Sequence, residues 1–84
     1  MNPIHQNRRA LNATEIVTQL SQLNGTHPDG WKLIDGSIER TFRFANFHET
    51  MAFVNAVAWV AHREDHHPDV AFGYNRCTLR FNTH

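Results

Sequence analysis

The chain has 84 residues, room for one domain with a modest core, and its eight basic residues balance eight acidic ones. That balance excludes a general basic field for nucleic acid or anionic lipid, and no apolar stretch approaches the length of a membrane span. The single cysteine, Cys77, excludes an internal disulfide, and the opening residues carry no apolar run of a secretory leader, so the expected setting is cytoplasmic.

Residues 1–10 are polar and read as a flexible N-terminus; residues 11–84 read as one domain. The spacing predicts a first helix capped by Asn12, with Glu15 completing a capping box and Leu11 stapled against Ile16. Ile16, Leu20 and Leu23 share its apolar face beside Val17, and Asn24-Gly25 ends it. His27-Pro28-Asp29-Gly30 reads as a turn, after which Trp31 opens a short strand through Ile34. Asp35-Gly36 is a two-residue hairpin signal, because both positions tolerate positive φ. The return strand, residues 37–45, sets Ile38, Phe42 and Phe44 on one face and Glu39, Thr41 and Arg43 on the other. Arg40 falls on the apolar face, which suggests that part of this strand lies near the sheet margin.

Asn46 caps the main helix, which is expected to run to about Asp65. Phe47, Met51, Phe53, Val54, Val57, Ala58, Val60 and Ala61 cover about half its cylinder, wider than the ~100° stripe of a surface helix. Thr50 is the one polar residue within that arc, and Trp59 falls on the polar side near Asn55 and His62. So wide an apolar arc suits one edge on the sheet and the other on a second subunit. Pro68 stops the helix and pushes His67 out of helical conformation. Val70, Phe72 and Tyr74 then alternate as one strand, and Cys77, Leu79 and Phe81 as another, with Asn75-Arg76 as the tight connection. The order α-β-β-α-β-β predicts an α+β domain, a four-stranded antiparallel sheet with helices packed on one face.

Histidine is the compositional outlier: seven in the chain, five of them from His48 onward. His62 and His66 are four apart, so they lie on adjacent turns of one face if the helix reaches His66. They could hold zinc with His67 and either Asp69 or His84, but Arg63 stands where the zinc-protease motif requires glutamate. Acid–base chemistry is the other use, because imidazole accepts or donates a proton near neutral pH with little mismatch. The blander alternative is a helix end at which histidine complements the dipole and proline ends the run.

The run HREDHHPDVAFGYNRCTLRFNTH, residues 62–84, resembles the signature of the pterin-4a-carbinolamine dehydratases, also known as dimerization cofactors of a homeodomain transcription factor. It sets His66-His67-Pro68, the aromatic Tyr74 and His84 at that family's intervals, and places His62 where relatives often carry glutamate. Gly30-Trp31 and Asn46-Phe47 extend the resemblance to about residues 11–84. The resemblance implies removal of water from a 4a-hydroxytetrahydropterin to give the quinonoid dihydropterin, without metal or organic cofactor, recycling the pterin of aromatic amino-acid hydroxylases. It implies His66, His67 and His84 as the catalytic residues, and a homodimer or homotetramer. Relatives continue beyond this point into a further helix, so the usual C-terminal helix is expected to be absent.

Trp31, Pro68, Asp69 and Arg80 are candidate substrate-binding residues, Trp31 for stacking on the flat ring and Asp69 and Arg80 for orienting its polar groups. A core tryptophan and solvated surface charges are the competing readings. If the last strand is regular, His84 shares a face with Thr78, Arg80 and Asn82, opposite Leu79 and Phe81. The alternative to an enzyme is a non-catalytic dimerization or assembly protein on the same fold. No recognition motif for direct nucleic-acid binding is present, and no membrane partner is expected.

Overall fold

A computed structural model describes residues 5–22 and 30–82, with side chains from residue 13 onward. The elements are α1 (His5–Ser21), β1 (Lys32–Ile34), β2 (Ser37–Arg43), α2 (Phe47–Arg63), β3 (Asp69–Phe72) and β4 (Arg76–Asn82). This is the expected α-β-β-α-β-β order, an α+β fold whose antiparallel sheet runs β1-β2-β4-β3.

The first helix departs from expectation at its start. It begins at His5, so Asn12 lies inside the helix and does not cap it. Gln6, Arg8, Arg9 and Ala10 are all good helix formers, and nothing before Asn12 forces a break. Ala13, Val17 and Ser21, at i, i+4 and i+8, are its fully covered row, with Ile16 and Leu20 packed beside them. Small side chains hold the line of closest approach, which a ranking by hydrophobicity assigns to the larger ones. The Leu11–Ile16 staple, Leu23, the Asn24-Gly25 stop and the turn at residues 27–29 lie outside the described residues.

The hairpin forms as expected. Asp35 and Gly36 have φ of 50° and 77°, the paired left-handed conformations of a two-residue turn that matches the strand twist. β1 starts at Lys32, leaving Trp31 ahead of the strand, and pairs with β2 only as far as Lys32 with Glu39. From Arg40 to Arg43, β2 therefore has β4 on one side and, among the described residues, no strand on the other, in line with the margin that Arg40 suggests. Arg40 is accommodated on the inner face by laying its guanidinium over the Phe42 ring, 4.8 Å from the centroid. Its Nη1 donates to Thr18 Oγ1 at 3.4 Å. β2 ends at Arg43, short of Ala45, because the chain bends there to cap the next helix.

Asn46 caps α2: its side chain accepts from the Glu49 backbone N–H at 2.9 Å, and Glu49 Oε1 accepts from Ala45 N–H at 3.1 Å. Thr50, Phe53, Val57, Val60 and Ala61 are buried, against the sheet and α1. With Ala13, Val17, Phe42, Phe44, Cys77, Leu79 and Phe81 they make one core on one face of the sheet. Each fully buried large side chain there, such as Phe42, Leu79 or Phe81, contributes on the order of 2–3 kcal/mol of transfer free energy. Of the rest of the predicted apolar arc, Met51 and Val54 are half-buried, whereas Phe47 is 46% exposed and Ala58 is exposed.

β3 is shorter than its alternation predicts, ending at Phe72, and Arg76 opens β4 instead of joining the connection. Tyr74 sits in the loop and stacks on Phe47, centroids 6.5 Å apart. Two hydrogen bonds tether this loop: Phe44 N–H donates to Asn75 O at 2.9 Å, and the Thr50 hydroxyl lies 2.9 Å from Tyr74 O. The polar residue in the apolar arc of α2 is thus a tie to the β3–β4 loop. Among the described residues no helix is long and apolar enough to cross a membrane.

Candidate active site

His66 owes its position to the way α2 ends. Glu64 caps the helix, and Asp65 adopts a left-handed φ of 52°, a conformation more accessible to aspartate than to most non-glycine residues. Asp65 N–H then donates to His62 O at 3.3 Å and His66 N–H to Ala61 O at 3.0 Å, the crossed pair of bonds of a Schellman motif. The helix ends at Arg63, five residues before Pro68, so His62 and His66 do not sit on adjacent turns of one helix face. The periodicity could not show this, because the left-handed residue is an aspartate where a glycine would have signalled the stop.

From this anchored backbone the His66 imidazole lies flat on the Phe81 ring, with centroids 5.3 Å apart and planes 7° from parallel. His66 is half-buried, and its Nε2 is buried with no hydrogen-bond partner among the described residues. A buried imidazole nitrogen without a partner is costly in a purely structural role and suits a group that engages a ligand. Phe81 itself is 1% exposed. A second ring beside it is Trp31, 5.9 Å away and tilted by 56°.

Trp31 meets Phe42 edge-on at 5.9 Å, and its Nε1–H donates to Thr18 Oγ1 at 3.1 Å. That hydroxyl in turn donates to Thr14 O at 2.7 Å. Trp31 is therefore a core anchor joining α1 to the sheet, one ring removed from His66. It also borders a shallow hollow of about 280 Å³ with Thr14, Glu15, Thr18 and Gln19.

His67 goes elsewhere. It is exposed and, with Pro68, lines a groove of about 310 Å³ between α2 and β3, walled by Val54, Val57, Ala58, Ala61, Val70 and Phe72. Two adjacent histidines thus meet different surroundings, one an aromatic ring of β4, the other an apolar groove, as a chain turned by proline should arrange them. His62 is exposed and lies with Asn55, Ala58 and Trp59 around a separate shallow pocket of about 370 Å³.

Asp69 and Arg80 are cross-strand partners, and Arg80 is also paired with Glu39. Lys32, Glu39, Arg80 and Asp69 form a row of alternating charge across all four strands. Because side chains alternate along a strand, this row lies on the face opposite Phe81, away from the ring that carries His66. His84 lies outside the described residues, which end at Asn82, one position beyond Phe81. Among the described residues no three His, Cys, Asp or Glu side chains gather so as to hold a metal ion. Burial pushes the Cys77 thiol up from 9.0 to about 11, so it remains protonated at neutral pH.

The model of the family described as Pterin 4 alpha carbinolamine dehydratase matches residues 9–84. A Nitrosomonas eutropha protein with the provisional name pterin-4-alpha-carbinolamine dehydratase is 53% identical over 72 residues, covering 86% of this chain and 58% of that protein. Proteins with the same provisional name are 54% identical over 80 residues in Paracidovorax citrulli, covering 92% of this chain and 66% of that protein. In Legionella pneumophila the figures are 49% over 77 residues, covering 89% and 65%. The chain spans between 58% and 66% of the length of these relatives.

Proposed function

Because the chain belongs to the pterin 4 alpha carbinolamine dehydratase family, we propose that it removes water from a 4a-hydroxytetrahydropterin by histidine acid–base catalysis. The observation that carries this reading is the half-buried His66, with Nε2 unpartnered among the described residues and a second imidazole on the adjoining residue.

The chemistry needs two proton transfers and no oxidant. Hydroxide is a poor leaving group, so an acid protonates the 4a-oxygen as its bond to carbon breaks and water departs. The ring nitrogen that forms the new double bond gives up its proton to a base, and the quinonoid dihydropterin results. We assign the base role to His66 and the acid role to His67 or His84, with Trp31 and Pro68 supporting the pocket and no metal or organic cofactor taking part. Asp69 and Arg80 fit better as a pair that braces the sheet than as direct ligands of the ring.

The biological role proposed is recycling of the pterin used by aromatic amino-acid hydroxylases. The open apolar side of α2 and β3 favours a second element of the reading, self-association as a homodimer or homotetramer. It also favours the alternative of a non-catalytic assembly protein with the same fold.

A spectrophotometric assay on a 4a-hydroxypterin separates these. Wild type is expected to accelerate dehydration equally with and without chelator. His66→Ala, His67→Ala and His84→Ala are each expected to lower kcat by about 10²–10⁴-fold, the usual worth of a general acid or base. Unchanged rates in all three variants would sink the catalytic reading, and a self-associating but inactive wild type would favour the assembly protein.

A further inference from the structure

We propose that Phe81 is a positioning residue: its ring fixes the plane of the His66 imidazole, and with it the direction in which Nε2 presents to a bound pterin. The inference rests on the dehydratase reading for what the imidazole does, and on the described geometry for how it is held.

The Schellman bond from His66 N–H to Ala61 O, with the restriction that Pro68 places on residue 67, constrains the backbone around His66. These constraints leave the two side-chain torsions, and a half-buried imidazole on a short loop would otherwise turn about them. The parallel stack at 5.3 Å removes that freedom, since rotation out of a 7° plane would lift the imidazole off the Phe81 face. Phe81 cannot yield in turn. It is 1% exposed, held in register opposite Ile38 within β4, and braced by Trp31. Trp31 is itself pinned to α1 through Thr18 Oγ1. A run of contacts from α1 through Trp31 and Phe81 thus ends on the imidazole.

An acid or base acts only when its nitrogen is aligned with the proton it moves, and misplacement by about 1 Å can cost about a hundredfold in rate. An effect of this kind falls on kcat and leaves KM unchanged, because Phe81, 1% exposed, offers the substrate no surface of its own.

The test uses the full chain. In wild type, the His66 ring protons are expected upfield in the NMR spectrum relative to those of exposed His48 and His67, shielded by the Phe81 ring face. Phe81→Leu, close in volume and apolar but without a ring, is expected to remove that shielding and to lower kcat by about ten- to a hundredfold with KM unchanged. Phe81→Tyr keeps the ring and is expected to restore both. Unshielded His66 protons in wild type, or a folded Phe81→Leu variant with full kcat, would overturn the inference. If Phe81→Leu unfolds, the wild-type shielding and the kcat of Phe81→Met decide in the same sense. A wild type that is inactive on the pterin but has His66 shielded would refute the dehydratase reading and leave the ring-positioning inference standing.

Discussion

At the scale of single residues, surroundings outweigh residue type. His66 and His67 are chemically identical and adjacent, yet one lies on an aromatic face and the other borders an apolar groove. Thr18 shows the same economy, since its one hydroxyl donates to Thr14 O and accepts from both Trp31 and Arg40, using its full hydrogen-bonding capacity. Burial shifts the ionisation of the Cys77 thiol from 9.0 to about 11. The unfolded thiol ionises near its ordinary value while the folded one holds its proton to about 11. Its contribution to stability is therefore complete below about pH 9 and lost as pH rises through 11. Urea unfolding of wild type from pH 8 to 11 is expected to show that loss, and Cys77→Ala to show less of it. An identical pH dependence in the two proteins would contradict the assignment.

At the scale of elements, the ends carry more information than the middles. α2 is capped at Asn46 as the sequence predicts, and it closes two residues before Asp65 through a motif no periodicity announces. Thr50 shows why one polar residue is tolerated in an apolar arc. Its hydroxyl lies 2.9 Å from both Asn46 O and Tyr74 O. Asn46 O already accepts the Thr50 backbone N–H at 3.1 Å, so Tyr74 O is the acceptor that depends on the hydroxyl. Thr50→Val, nearly isosteric and more apolar, is expected to destabilise the domain by about 1 kcal/mol, through loss of the tie between α2 and the β3–β4 loop. Equilibrium denaturation checks this; a neutral or stabilising change would mean that the tie carries no net energy.

At the scale of the molecule, one face of the sheet holds the core and its far side is polar, yet apolar surface remains. Leu33, Phe47, Trp59, Val70, Phe72 and Tyr74 are all substantially exposed, and Trp59 is 74% exposed. A small domain has few places to hide such side chains, and a second copy is the occupant that the proposed self-association supplies. Trp59→Ala leaves the core of a single chain untouched. It is expected to weaken self-association by about 2 kcal/mol or more if Trp59 lies in the interface, as measured by sedimentation equilibrium. An unchanged association constant would place the interface elsewhere.

The α-β-β-α-β-β order, the Asp35-Gly36 turn, the Asn46 cap and the inward parity of Cys77, Leu79 and Phe81 were legible in the sequence by itself. Each depends on residues within a few positions of one another, where periodicity and turn chemistry operate. The spacing of His66, His67 and His84 was equally plain, and with it the family. Only the tertiary structure decided that α1 packs through Ala13, Val17 and Ser21, and that Asp69 pairs across strands with Arg80. It also decided that Phe81, by parity one core residue among several, is the surface on which His66 rests. Those outcomes turn on which surfaces meet when distant elements pack, and a contact between a helix end and a strand fifteen residues later leaves no local signature in the chain.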